Sequence, residues 1–323
     1  MKTTKCEPAV ARPGPPSLDW AQLTCHAKFD YIKVWHPKKA LLPALSGTKR
    51  WTKVRYGRMG YALTVQDPQR ADIDKVIDAL GNPVLMALQL TVDILPKPGV
   101  AAFARERLLL NTFMGVAGRF RPEDEARWGY GTRGATNAVG KAPRPFHRRF
   151  PDPDEELVYG QRGGWMQATA YLKRTNERSV LDQAEHRMRM EVTLERGGLM
   201  DFGINQLADL RGFAYRSTFT KHFRIVSHPR VRAVTGRPAK GLLKAETRMW
   251  RGWATAGVGK FAIATDFPPD TIDSAARRIR ARQCQQLPLS DYVLESDRAS
   301  TEKIGTAIRR LDRAMAVKKT RAA

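Results

Sequence analysis

Three segments of this chain alternate apolar and polar residues with a period of two, and that pattern restricts its fold more than any other feature. In 88–94, Leu88, Leu90, Val92 and Ile94 alternate with Gln89, Thr91 and Asp93. In 166–173, Met166, Ala168, Ala170 and Leu172 alternate with Gln167, Thr169, Tyr171 and Lys173. In 186–195, Met188, Met190, Val192 and Leu194 alternate with Arg187, Arg189, Glu191, Thr193 and Glu195. Successive side chains of a strand point to opposite faces, so each segment presents one apolar and one polar face. Paired in one sheet, the three gather Tyr171, Lys173, Arg189, Glu191 and Asp93 on the polar side. The period fixes faces and not strand order.

The remaining punctuation points to an α+β chain with a central antiparallel sheet. KFDYIKVW at 28–35 reads as a strand, and 49–66 as a ribbon turning between Gly57 and Gly60. Ile73, Val76, Ile77 and Leu80 share one face of a helix over 70–80 that Gly81 stops. Segment 84–95 reads as a central strand closed by Pro96 and Pro98, followed by a helix over 100–114. Residues 118–152 are rich in Arg, Gly and Pro and read as a long basic excursion, a length that is uncommon unless functional or disordered. Strands at 155–159, 165–173 and 186–194 follow, with a short helix near 176–184 between the last two. Helices are expected near 204–211 and 217–223, and through GLLKAETRMWRGWATAG to Gly257. Another starts at Asp270 or Thr271 and carries SAARRIRAR. The last covers 299–315 and is capped by Ser300. The chain divides into a Pro-rich lead at 1–20, a main domain at 21–235 that includes the excursion, and a basic, mainly helical region at 236–323.

Charge narrows the partners. Lys and Arg number 56 against 32 Asp and Glu, a net +24, which draws polyanions and gains from counterion release when they bind. DNA, RNA and anionic membrane all answer that description. No run of 18 apolar residues exists, and no long helix sets a wide apolar face against a basic one, so stable membrane association is not expected. Cys6, Cys25 and Cys284 are far apart with no CxxC, which suits reduced thiols in a cytoplasmic setting and excludes a zinc finger. No GxxxxGK[ST] phosphate loop is present. The candidate DNA-contacting cations are Arg148 and Arg149 in the excursion, Arg162 in the glycine ribbon, Arg189 on the sheet, and Arg277, Arg278 and Arg280 in the Arg-rich helix.

The polar sheet face makes chemical sense for phosphodiester cleavage. A tyrosine oxygen can attack phosphorus and hold the DNA end as an ester, but with a free pKa near 10 it needs a cation or metal beside it. Lys173 can steady charge on the phosphoryl oxygens. Asp93 and Glu191, with Asp30 third, offer oxygen ligands for Mg²⁺ or Mn²⁺. Against this, a strand tyrosine is more often a packing aromatic, and each charged neighbour taken alone reads as a solvated surface residue.

AYLKRTNE at 170–177, followed by RMEV at 189–192, resembles the core of rolling-circle replication initiators, nearest the replication initiation factors of filamentous phages and related plasmid initiators. The resemblance implies Tyr171 as the DNA-cleaving nucleophile, Lys173 as its cationic helper, Glu177 as the acidic residue after the motif, and Arg189 and Glu191 as the downstream pair. LQLTVDI resembles the family strand that ends in an acidic residue, here Asp93. KFDYIKVW resembles the opening strand with Asp30 in the acidic position, and VYGQRGG the glycine-containing ribbon. The matched pieces fall within 27–223. Gln89 stands where the family often has a charged residue, and the paired histidines of wider His-hydrophobic-His endonucleases are missing. The implied fold is a Rep-like nicking domain with helices on one sheet face and DNA on the other. The implied reaction is site-specific nicking of one strand of origin DNA, unpaired at the nick, in a bacterial host cytoplasm. Tyr171 takes the 5′ phosphate and leaves a 3′ hydroxyl for a host polymerase, with a host helicase as a further candidate partner. Tyr171 is then expected to face an open basic groove with Asp93 or Glu191 beside it. The rival readings are a non-enzymatic DNA-binding regulator or architectural protein, and an RNA-binding protein.

Overall fold

The structure is a computed structural model that describes residues 19–37, 51–56, 60–118, 129–132, 155–160, 165–176, 179–226, 230–231, 239–256, 292–293 and 297–316. Its centre is an eight-stranded antiparallel sheet. In chain order the strands are β1 (Leu23–His36), β2 (Trp51–Tyr56), β3 (Gly60–Gln66), β4 (Val84–Pro96), β6 (Gly129–Thr132), β7 (Glu155–Gly160), β8 (Met166–Lys173) and β11 (Arg187–Glu195), and in space they run β2-β3-β1-β4-β11-β8-β7-β6. The three alternating segments are therefore neighbours at the middle of the sheet, β4 beside β11 beside β8.

The apolar face is continuous across these strands. Ile94 pairs with Cys25 on one side and Met188 on the other, and Val192 and Phe29 flank Leu90 in the same way. Helices α2 (Ala102–Met114), α3 (Arg196–Asp201) and α6 (Arg298–Met315) cover that face. Leu109 and Phe113 of α2 and Ile304, Ile308 and Leu311 of α6 enter the same core. Helix α1 (Arg70–Leu80) buries Ile73, Val76 and Leu80 and ends at Gly81, whose φ of 65° is the left-handed cap that a glycine adopts without strain. The α+β architecture with helices on one sheet face is thus the fold.

Helix α6 belongs to the basic C-terminal region in sequence, yet it closes the core over β1. Lys303 donates to the Leu23 carbonyl at 2.9 Å, and Arg70 donates to the Ala316 carbonyl. Its cap is Asp297 rather than Ser300: the Asp297 carboxylate accepts from the Ser300 backbone N–H at 2.6 Å, which places Ser300 inside the first turn.

Other expectations shift in type. The short helix expected at 176–184 is a two-stranded hairpin, β9 (Thr175–Asn176) with β10 (Ser179–Val180), followed by one 3-10 turn at Gln183–Glu185. That segment has no apolar stripe of helical period to bury, and the Leu181 N–H closes the hairpin on the Arg174 carbonyl at 2.9 Å. The helix expected at 204–211 is a 3-10 turn, Leu207–Gly212, capped reciprocally by Gln206 and Asp209. Helix α4 (Tyr215–His222) comes next, then β12 (Phe223–Ile225), which pairs with β5 (Val116–Gly118). A further pair joins β13 (Arg230–Val231) to β14 (Tyr292–Val293), and α5 (Ala239–Ala256) takes up most of the segment expected to be helical up to Gly257. Apart from Gly118 and β6, the basic excursion lies outside the described residues, as does the SAARRIRAR segment.

Candidate active site

The face of the sheet opposite the helices carries the expected polar residues, and register brings them together. Arg189 of β11 stands directly between Asp93 of β4 and Tyr171 of β8. Glu191 is one pleat further along β11, diagonal to Tyr171, and Lys173 lies opposite Arg187. Asp30 arrives by a different route. Phe29 pairs with Leu90 and Tyr31 with Gln89, so Asp30 is an extra residue, a β-bulge in β1. Such an insertion re-aims the side chains around it. Asp30 keeps the polar face that alternation gives it next to core-facing Phe29, beside Arg189, and the extra residue brings Tyr31 onto the same polar face.

Arg189 is the hub. It is 0 % exposed, and Nε and Nη2 donate to the two oxygens of Asp93 at 2.6 and 2.8 Å. Its Nη1 donates to Asp30 at 3.1 Å and to Glu191 Oε1 at 3.5 Å. Burial alone would favour losing its charge, but the hydrogen bonds and charge of Asp93 outweigh that and hold the guanidinium firmly protonated. Arg187 Nε adds a second cation 3.3 Å from Asp93. Lys28 pairs with Asp67 and stands 3.8 Å from Asp30. Burial and the Arg189 charge lower the pKa of the Lys173 ammonium.

The Tyr171 hydroxyl donates to Glu191 Oε1 at 2.7 Å. Burial raises the Glu191 pKa, which the Tyr171 hydrogen bond and the Arg189 charge only partly counter. Gln89 positions that carboxylate, its amide reaching Glu191 Oε2 at 3.4 Å and Thr193 Oγ1 at 2.9 Å. Gln89 and Thr193 therefore belong to the site, a role their isolated positions in the sequence did not signal. Tyr31, delivered by the bulge, is a second phenol on this face. Burial first and then the Glu195 charge push its pKa up to about 12.

Three expectations meet a different geometry. Tyr171 has its acidic neighbour but is 6 % exposed, so it does not face an open groove. Arg189, grouped by sequence with the DNA-contacting cations, is enclosed by carboxylates. Asp30, Asp93 and Glu191, expected to surround a divalent ion, instead turn onto the Arg189 guanidinium, which fills the space between them. Among the described residues, no group of three or more His, Cys, Asp or Glu side chains is arranged to hold a metal ion. Arg148, Arg149, Arg162, Arg277, Arg278 and Arg280 lie outside the described residues, as does Glu177. No described helix is long and apolar enough to cross a membrane.

No protein-family model matches the sequence, and no curated protein matches it. Among solved structures the chain is similar to a rolling circle replication initiator protein from Geobacillus stearothermophilus. The identity is 11 %, the TM-score is 0.34, and the match covers 70 % of this chain and 96 % of that one.

Proposed function

We propose that this chain is a DNA-nicking replication initiator in which Tyr171 cleaves one strand at an origin. The carrying observation is the Tyr171–Glu191 hydrogen bond at 2.7 Å on a sheet face that also holds Lys173. A phenol is a poor nucleophile until its proton has somewhere to go. Glu191 is an acceptor in contact with it, and a carboxylate whose pKa burial has raised is the stronger base. In the proposed step Tyr171 Oη attacks the phosphorus of a phosphodiester while its proton passes to Glu191. The bond from phosphorus to the 3′ oxygen breaks, and that oxygen takes a proton from solvent. The 5′ phosphate stays on Tyr171 as an ester. Lys173 lies two residues along the same strand face and supplies positive charge to the phosphoryl oxygens.

Arg189 acts through others in this reading. It fixes Asp93 and Asp30 and keeps Glu191 in its orientation toward Tyr171. Mg²⁺ or Mn²⁺ is the ion that such chemistry would call on, but these carboxylates do not form its cradle while Arg189 sits among them, and no step here runs through a metal. Because Tyr171 is enclosed, a phosphodiester reaches it only after its surroundings shift. The partner is origin DNA, unpaired at the nick, in a bacterial cytoplasm; the +24 charge supplies the non-specific hold.

The test is incubation with supercoiled and single-stranded circular DNA, with Mg²⁺ or Mn²⁺ supplied, followed by denaturing electrophoresis. A protein–DNA adduct is expected, lost in Tyr171→Phe with most binding retained. An adduct that survives this substitution removes Tyr171 from the role. The enclosed state of Tyr171 favours one second reading, a non-enzymatic DNA- or RNA-binding protein, which predicts retention of nucleic acid with no adduct.

A further inference from the structure

Trp165 is the large aromatic of this region that the proposed chemistry does not use. It is 69 % exposed, although tryptophans are highly buried on average. The ring is nevertheless held in place. A Cβ on Gly197 would come within 2.8 to 3.0 Å of Cδ1, Cγ and Nε1 of the indole, and a Cβ on Gly198 would lie 2.3 Å from the Trp165 carbonyl oxygen. The glycine pair at the β11–α3 junction is thus a shelf on which the indole rests directly against backbone. The Glu195 N–H donates to the Trp165 carbonyl at 3.0 Å and ties the same residue to the sheet. The indole is fixed on one side and open to solvent on the other.

Its place in the register relates it to Tyr171. Trp165 immediately precedes β8, and Leu194 pairs with Met166 on the core face. Trp165 thus stands opposite Glu195, at the register position shared with Gln167, Thr169 and Tyr171. Six residues of extended strand separate its Cα from that of Tyr171, roughly 20 Å. That length corresponds to a few nucleotides of single strand.

We infer that Trp165 is a stacking platform for an unpaired base of the DNA strand whose phosphate is presented to Tyr171. Every base has a π-face, so such a platform grips single strands with little sequence preference, and a pre-oriented ring loses little freedom on binding. Duplex DNA keeps its bases stacked on one another and offers none to the indole. The inference rests on the nicking reading for the strand's position but is tested by binding alone.

The test uses the full chain carrying Tyr171→Phe, with and without Trp165→Ala. Fluorescence anisotropy is read on two labelled strands of about 12 nucleotides, a length within the ~4–16 nucleotide range of comparable single-strand sites. One is oligothymidylate; the other has the same phosphates with abasic sugars throughout. Trp165→Ala is expected to weaken oligothymidylate binding by roughly five- to a hundredfold and to leave the abasic strand unchanged. Trp165→Phe keeps most of the affinity and guards against a folding defect. Equal loss on both strands, no loss on either, or no binding of oligothymidylate by the parent overturns the inference. The Tyr171 adduct assay on the wild-type chain separates the two claims. An adduct without base-dependent coupling overturns the platform alone, and coupling without an adduct overturns the nicking reading alone.

Discussion

Replacing Arg189 with methionine removes the cation on which the polar face is built, and the structure sets the size of the effect. The guanidinium lies within 3.5 Å of three carboxylates, Asp30, Asp93 and Glu191, and is itself fully buried. Removing one partner of a buried ion pair costs about 3–5 kcal/mol, because the charge left behind stays buried and unpaired. Three features soften that here. Arg187 remains 3.3 Å from Asp93, Lys28 remains 3.8 Å from Asp30, and Tyr171 still donates to Glu191. The lower end, about 3 kcal/mol, is therefore expected, a large share of the ~5–15 kcal/mol typical of a folded domain. Removing both charges tests the logic. Arg189→Met combined with Asp93→Leu leaves no unpaired Asp93 carboxylate and should recover most of the loss, since apolar replacement of a whole buried pair is often neutral. Urea denaturation followed by circular dichroism measures the four corners of this double-mutant cycle. An Arg189→Met protein within ~0.5 kcal/mol of wild type, the usual range for surface substitutions, would refute the buried hub.

Three further outcomes follow from individual contacts. Burial raises the Glu191 pKa above its unfolded value, so its favourable contribution is complete below the unfolded pKa and is lost as pH rises through the folded one. Glu191→Gln should thus gain in urea midpoint relative to wild type as pH climbs above ~4.3, while losing adduct formation; a relative gain by wild type over that range would contradict the sign. Glu106 of α2 is the opposite case. Burial pushes its pKa up, but hydrogen bonding from His186 at 2.6 Å and the charges of Arg174 and His186 bring it below its usual range. Its contribution, about 1 kcal/mol for a partly exposed cluster, is present above the unfolded pKa and lost as pH falls through the folded one, so Glu106→Gln should match wild type only in acid. Gly198→Ala forces a methyl to 2.3 Å from the Trp165 carbonyl and should cost about 1–3 kcal/mol in thermal or urea melts, whereas Gly212→Ala, with open space around it, should stay near neutral.

The face of each central strand was legible in the sequence because period two needs no tertiary information. Leu88 to Ile94 and Met188 to Leu194 are buried as their alternation requires, and Tyr171, Glu191, Asp93 and Lys173 share the other side. The strand order was not legible, because pairing partners distant in sequence, such as Asp93 and Arg189, leave no local trace. The bulge at Asp30, and with it the face of Tyr31, was hidden for a related reason. A bulge breaks alternation: KFDYIKVW read as one strand puts Lys28 and Asp30 on one face but gives Tyr31 no reason to join them. The contact of Arg189 with Asp30, Asp93 and Glu191 was not legible either, because sequence reveals that acidic residues converge but not which cation they converge on. The same limit explains Tyr171. Glu191 shares its face by period two, but the enclosure of Tyr171 depends on what packs over the polar face, which no strand period encodes. The Asp297 cap was missed because the periodic stripe of α6 begins several residues after the cap itself.

In the proposed reaction the Tyr171 oxygen becomes covalently bound to a DNA 5′ phosphate, and that bond can be mapped. The wild-type chain is incubated with circular DNA in the presence of Mg²⁺ or Mn²⁺, digested with nuclease and protease, and its nucleotide-bearing peptide is sequenced by mass spectrometry. A phosphodiester-linked nucleotide is expected on the peptide spanning β8, localised to Tyr171 and absent from Glu191→Gln. A nucleotide on Tyr31 or any other residue, or efficient nicking that leaves no nucleotide on the protein, would contradict it.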